Sequence, residues 1–207
     1  MIGLIDYGGG NLASVGNALD LLGAHWRHVR SAPDLAGLGA VIFPGVGAAG
    51  PAMRQLQASG LDRGLLEFLK SGRAYLGICL GMQLLFEASA EDGSRCLGYL
   101  AGQVVRMPTS EKLPHVGWNT VDVARPTALF TGLQSSYFYF SHSYVVEPGT
   151  KELVSARTQH GGGFVSAIAQ ESVTGVQFHP ERSGGNGIRL LRQFLALGAN
   201  PSPAHAD

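Results

Sequence analysis

The stretch Gly77-Ile78-Cys79-Leu80-Gly81 sets a cysteine between two glycines at the point where Ala74-Tyr75-Leu76-Gly77-Ile78 gives way to Met82-Gln83-Leu84-Leu85-Phe86-Glu87. The first run reads as a short buried strand. The second, free of proline and of β-branched residues, reads as the start of a helix. A sharp strand-to-helix turn pushes its central residue toward positive φ and crowds the neighbours, and glycines two residues before and after remove the Cβ atoms that would collide. The pattern is the cysteine form of the G-x-S-x-G nucleophile elbow. The unpaired N–H groups that open a helix favour an anion there, and the thiolate is the reactive form of cysteine. Taken alone, the stretch also reads as a small buried residue between turn glycines.

A second segment adds the partners such a cysteine needs. Thr174-Gly175-Val176-Gln177-Phe178 reads as a strand that ends in His179-Pro180-Glu181. Pro180 pushes His179 toward extended backbone, where residues two apart point the same way, so Glu181 sits beside the imidazole. A carboxylate there accepts from Nδ1–H, leaves Nε2 free as the base and stabilises the imidazolium as it forms. An isolated His-Pro-Glu reads better as a surface turn after a strand; beside a cysteine elbow it does not. A third segment, Phe43-Pro44-Gly45-Val46-Gly47, follows the apolar run Ala40-Val41-Ile42. Its small, permissive backbone suits N–H groups that face a ligand. With the amide of Leu80, one N–H from Gly45 or Val46 would make a two-donor oxyanion hole, each donor being worth ~3 kcal/mol in a transition state.

These three segments, in this order, resemble the triad-type (class I) glutamine amidotransferases over most of the chain. Four more segments are similar to one branch of that family, the glutaminase subunits of imidazole glycerol phosphate synthase. They are Ile5-Asp6-Tyr7-Gly8-Gly9-Gly10-Asn11-Leu12, Leu80-Gly81-Met82-Gln83-Leu84-Leu85-Phe86-Glu87, Pro114-His115-Val116-Gly117-Trp118-Asn119 and Ser141-His142-Ser143-Tyr144. The resemblance implies an α/β fold of three layers: an open, mixed, mostly parallel flavodoxin-like sheet flanked by helices, with a β-rich second half. It implies that Cys79 attacks the side-chain amide of L-glutamine to give a γ-glutamyl thioester, that His179 protonates the departing ammonia and then activates water, and that Glu181 orients His179. Gln83 and Glu91 match positions that hold the α-amino and carboxylate end of glutamine, and Ser141, His142 and Ser143 lie on the segment lining that pocket. Trp118 and Asn119 match the contact with the partner, a (βα)₈-barrel cyclase that receives the ammonia in a step of histidine biosynthesis. No cofactor and no metal are implied. Arg182 stands where lysine is common and where a salt bridge to the cyclase is expected; it keeps the charge but reaches with a planar fork. Ala48-Ala49 stand where an aromatic is more usual.

The rest of the chain is consistent with this. Its 207 residues, 45% of them hydrophobic, close one core, expected over residues 1–198, with a disordered tail over 199–207 that contains Pro201 and Pro203. Fifteen basic and fifteen acidic side chains balance without a basic block, which argues against nucleic acid as a partner. Of the two cysteines, Cys79 must stay free and Cys96 reads as a bystander. No apolar run approaches the ~20 residues of a membrane span, and the amino end lacks the charged start and cleavage site of a signal peptide, so a cytoplasmic location is expected.

The coarse reading places strands at Ile2 to Asp6, Trp26 to Val29 and Ala40 to Phe43. Helices are expected near Leu12 to Leu22, with Asn11 as N-cap and Gly23 as stop, near Gly64 to Lys70 and near Gly187 to Leu197. Gly8-Gly9-Gly10 before a helix invites a dinucleotide reading, but the third glycine of the fingerprint falls at Ala13 and no acidic residue ends the next strand. His25, His28 and His142 lack partners at zinc spacing, and His160 reads as a solvated turn residue. Two other readings remain: a glutaminase subunit serving a different synthase, and a free-standing cysteine amidohydrolase.

Overall fold

The computed structural model describes residues 1–199. From the amino end, β1 (Ile2–Ile5), α1 (Leu12–Leu21), β2 (Trp26–Val29), β3 (Ala40–Gly45), α2 (Ala49–Ala58), α3 (Leu61–Lys70) and β4 (Ala74–Cys79) lead to the single turn α4 (Leu80–Gln83). A β-rich half follows: β5 (Ala88–Ser89), β6 (Ser94–Arg95), β7 (Gly102–Arg106), β8 (His115–Val123), β9 (Ser136–His142) and β10 (Tyr144–Pro148). Then come β11 (Val154–Gln159), β12 (Gly163–Gln170), β13 (Val173–Val176) and α5 (Gly184–Ala199).

The sheet runs β2-β1-β3-β4-β13-β12-β10-β7-β5-β6. Its first five strands are parallel and share one carboxyl edge. From β12 onward the pairing is antiparallel except between β5 and β7. β11 pairs with β12 and also with β8, and β8 pairs along its length with β9. The fold is thus the expected open mixed sheet with a β-rich second half.

Strands β3 and β4 are buried at every position, as unbroken apolar runs covered on both faces must be. Side-chain alternation along them divides the core in two. Ile5, Val41, Phe43 and Tyr75 pack with Leu56, Leu65 and Phe68 of α2 and α3. Leu4, Ile42, Leu76 and Ile78 pack with Val15 and Leu19 of α1 and with Leu190 and Phe194 of α5. Helix, sheet, helix makes the three layers.

Several elements differ from the sequence expectation. The helix expected from Met82 to Glu87 is one turn, Leu80–Gln83, because the carbonyls of Leu84, Leu85 and Phe86 accept from Leu97, Leu100 and Gly98 instead of continuing a helical ladder. β3 continues through Pro44 and Gly45 rather than ending at Phe43. Its pairing with β1 stops at Ile42, so the N–H that Pro44 lacks is not called for on that side. Helix α2 was not expected at all, and α5 starts at Gly184 rather than near Gly187. Ala199 belongs to α5, and the rest of the expected tail, 200–207, lies outside the described residues.

Candidate active site

Parallel register brings the three chemical segments to one edge. Gly45 pairs with Cys79, and Val176 pairs with Ile78, so the chain leaving β13 passes beside Cys79 as Gln177-Phe178-His179. The carboxyl edge of a parallel sheet is where open α/β folds build their sites. Cys79 takes φ 52° and ψ −107°, the strained elbow the sequence predicts. A Cβ on Gly77 would lie 2.5 Å from the Gly81 carbonyl oxygen, and one on Gly81 would run into the carbonyl of Phe43. Both glycines are required by backbone contact.

His179 is extended, with φ −104° and ψ 94°, as a residue before proline should be. Its Nδ1 lies 2.9 Å from Glu181 Oε1, and both side chains are buried. With Nδ1 spent on Glu181, Nε2 is the ring nitrogen left for the neighbouring Cys79 thiol. Burial opposes a charge on His179, but the bonds and charges of Cys79 and Glu181 outweigh it and raise its pKa to about 10. The backbone around it is pinned to β9. His179 N–H donates to the Tyr139 carbonyl at 2.8 Å, and Ser183 Oγ donates to the His179 carbonyl at 2.6 Å while accepting from Tyr139 N–H. Asn11 caps α1 only by position; its Nδ2 donates instead to Glu181 Oε1 at 3.4 Å, the same oxygen that faces His179.

The oxyanion segment is less simple. Leu80 opens α4, so its N–H has no partner within the helix and stands next to the thiol. Gly45 is buried against Leu80, where a Cβ would lie 2.6 Å from the Leu80 Cβ. Val46 is half exposed, but its N–H donates to Tyr7 Oη at 3.3 Å, and Tyr7 Oη donates back to the Val46 carbonyl at 3.1 Å. Val46 forms a wall between two depressions, the cleft over Cys79 and a smaller one that holds Tyr7 and Arg54. Its amide is committed to the Tyr7 side.

The cleft over Cys79 has a volume of about 770 Å³. Cys79, His179, Gln83, Glu91 and the segment Ser141-His142-Ser143 all line it, together with Val46, Asn11 and Arg182. Glu91 has its pKa raised, first by burial and then by neighbouring Asp92, whose carboxylate also accepts the Gly50 N–H at the start of α2. Gln83 spends both amide N–H groups inside the protein, on the Tyr144 carbonyl and on Gln177 Oε1, each at 3.1 Å. Only its Oε1 is left for a ligand, which suits an ammonium group.

Trp118 and Asn119 stand on β8, outside the cleft. Trp118 is 56% exposed and sits edge-on to Tyr139, over whose ring the Arg182 guanidinium lies at 4.4 Å. Val116 and Tyr137 are exposed on the same ribbon. His160, expected to be solvated, is partly buried. Its ring stacks on His115 at 4.1 Å and Nε2 lies 3.3 Å from the Lys112 carbonyl oxygen. Among the described residues no group of His, Cys, Asp or Glu could hold a metal, and no helix is long and apolar enough to cross a membrane.

Sequence reasoning missed Gln177, Tyr7 and the true partner of Asn11. Gln177 lies two residues before His179 in a segment that reads as a strand, a spacing that aims both at the same edge, and that signal was available although β13 ends at Val176. Nothing local marks Tyr7 or redirects Asn11, since their partners are 39 and 170 residues away.

A buried thiol beside an imidazole that is bonded to a carboxylate can attack a carbonyl carbon and protonate the group that leaves. Residues 4–197 match the family model described as glutamine amidotransferase class-I. The chain is 43% identical over 196 residues to the imidazole glycerol phosphate synthase subunit HisH of Desulfitobacterium hafniense, covering 94% of this chain and 93% of that one. It is 40% identical over 200 residues to the chloroplastic imidazole glycerol phosphate synthase hisHF of Arabidopsis thaliana, covering 94% of this chain and 34% of that one. A crystal structure of a glutamine amidotransferase superposes with a TM-score of 0.78 at 25% identity, covering 96% of this chain and 99% of that one. The chain belongs to the class I glutamine amidotransferases and, within them, to the family of imidazole glycerol phosphate synthase HisH subunits.

Proposed function

We propose that this chain hydrolyses L-glutamine to glutamate and passes the ammonia to a (βα)₈-barrel cyclase with which it forms a heterodimer in the cytoplasm, as the glutaminase subunit of imidazole glycerol phosphate synthase. The joint activity is then a lyase step that yields imidazole glycerol phosphate and aminoimidazole carboxamide ribotide. The observation that carries the reading is the meeting of Cys79 and His179 in the lining of one cleft, with Glu181 bonded to His179 behind it.

Glutamine enters with its α-ammonium toward Gln83 Oε1 and the Glu91 carboxylate, beside Ser141, His142 and Ser143. Cys79 Sγ attacks the side-chain carbonyl carbon. The oxyanion forms against the Leu80 N–H and an N–H of the Gly45–Val46 segment, each donor worth ~3 kcal/mol. His179, held by Glu181, gives its proton to the leaving nitrogen, so ammonia departs and a γ-glutamyl thioester remains. The same imidazole then takes a proton from water as the water attacks the thioester, and glutamate leaves with the thiol restored. The exposed Trp118 and Arg182, with the partly buried Asn119, supply the contact with the cyclase. The match to only 34% of a plant protein whose name joins two subunit designations supports a cyclase as the partner. Because Tyr7 holds the Val46 amide, the isolated subunit is nearly silent and the cyclase raises its rate.

The test is glutamate release from glutamine by the wild-type chain and by Cys79→Ala, each alone and with the cyclase and its nucleotide ligand. Release by the wild type that rises steeply with cyclase and is lost in Cys79→Ala is the expected result; no release in any mixture overturns the reading.

A further inference from the structure

The Cys79 sulfur has a polar neighbour besides His179. Gln177 is fully buried, and its Nε2 lies 3.4 Å from Cys79 Sγ. The direction of its amide follows from the carbonyl oxygen of Tyr144, which can only accept. Gln83 Nε2 donates to that carbonyl and to Gln177 Oε1. With its oxygen engaged, Gln177 has only its NH₂ to offer the sulfur. A donor in that place holds a charged sulfur and gives little to a neutral one.

The same carbonyl fixes a second arm. His142 Nδ1, 3.0 Å from Tyr144 O, carries the proton, so His142 Nε2 accepts from His115 Nδ1 at 3.1 Å. His115 Nε2 then accepts from Asn119 Nδ2 at 3.2 Å. The far end agrees independently. Asn119 Oδ1 accepts from the Thr120 N–H at 2.8 Å and its Nδ2 also donates to the Gln159 carbonyl, which turns the NH₂ toward His115. Both rings stay neutral, since burial above all pushes His142 down to about 3 and His115 down to about 4. Every donor in the chain has an acceptor, and no link can be reversed alone.

We propose that Gln177 is a further catalytic residue, donating a hydrogen bond to the Cys79 sulfur, and that Asn119, His115, His142, the Tyr144 carbonyl and Gln83 set its orientation from the strand that meets the partner. This rests on the reading of Cys79 as the nucleophile. A double-mutant cycle reads the coupling along this set of bonds. The other titratable groups in reach of the sulfur are His179 and Tyr7; His160, stacked on His115, is the one nearest the far arm. The substitutions leave all three in place.

The experiment is the rate of Cys79 alkylation by iodoacetamide as a function of pH, followed by peptide mass with Cys96 as internal reference, on the full chain without glutamine. Gln177→Leu keeps the volume and loses the donor. Gln177→Glu keeps the acceptor for Gln83 and sets a carboxylate against the sulfur, and it serves if the first variant fails to fold. Each is expected to displace the profile to higher pH by about one pH unit or more, a tenfold loss of the charged form at a given pH. The complex carrying Gln177→Leu should lose kcat for glutamate release about tenfold with KM for glutamine retained. His115→Phe, which keeps the ring stack, should move the profile the same way by a smaller factor and add nothing once Gln177 is replaced. A profile unmoved in a folded Gln177 variant overturns the role of Gln177, and additive effects of the two substitutions overturn the far arm. Alkylation needs no glutamine, so a wild-type chain that releases no glutamate counts against the function and leaves this test standing.

Discussion

Replacing Tyr7 by phenylalanine should wake the isolated subunit. The Tyr7 hydroxyl accepts from the Val46 N–H and donates to the Val46 carbonyl, so one group holds both sides of the residue that must offer an N–H to the oxyanion. Burial raises the Tyr7 pKa, so the hydroxyl keeps its proton and can do both. Two neutral hydrogen bonds are worth about 2 kcal/mol together. Their loss makes the turned peptide about 25-fold more accessible, at 1.4 kcal/mol per factor of ten. The ring itself packs edge-on to Phe43 at 5.5 Å and has no need of the hydroxyl for that. Val46 is half exposed, so water satisfies the freed groups. The assay is glutamate release without cyclase, beside the cyclase-saturated rate of the same preparation. Basal release should rise by about 10- to 25-fold, the saturated rate should hold, and the stimulation factor should shrink to match. An unchanged or lower basal rate in a Tyr7→Phe chain that melts where the wild type does would mean that the Tyr7 hydroxyl does not restrain the Val46 peptide.

Three further outcomes are expected. Because His179 binds its proton more tightly folded than unfolded, its pairing stabilises fully below pH 6.5 and fades as pH rises toward about 10. Urea unfolding of the wild type and Glu181→Gln should therefore differ most near pH 6 and converge near pH 10. His115 and His142 shift the other way, so the unfolded chain takes up protons that the folded one refuses, and stability should fall as pH drops from 6.5 toward 4. His142→Gln should flatten that acid limb in thermal melts. Trp118→Ala should weaken cyclase binding by about 2 kcal/mol, roughly thirtyfold in Kd by calorimetry, with an unchanged melting temperature.

What the sequence discloses here is what local backbone geometry demands. Two glycines around Cys79 announce a turn in which a Cβ on Gly81 strikes Phe43, and Pro180 announces the extended His179. The unbroken apolar runs of β3 and β4 announce a sheet covered on both faces. Long-range pairing stays hidden. The end of α4 is set by residues 97–100, which take the carbonyls a longer helix would use. Helix α2 carries a glycine and a proline in its first turn and gains its hold from Asp92, which accepts the Gly50 N–H. Asn11 reads as a helix cap by type, yet Glu181 outcompetes the backbone for its side chain. His115, His142 and His160 have no zinc-like spacing and are gathered by the β8–β9 ribbon and the turn that follows β11.

The central claim is that Cys79 is the nucleophile toward the side-chain carbonyl of glutamine. The most direct measurement uses a glutamine analogue in which a chloroketone replaces the amide, applied to the complex with the cyclase. Glutamate release should be lost in step with one equivalent bound at Cys79, with none at Cys96, and glutamine should slow the labelling. Labelling elsewhere with Cys79 untouched, or full labelling of Cys79 with release undiminished, would contradict the claim.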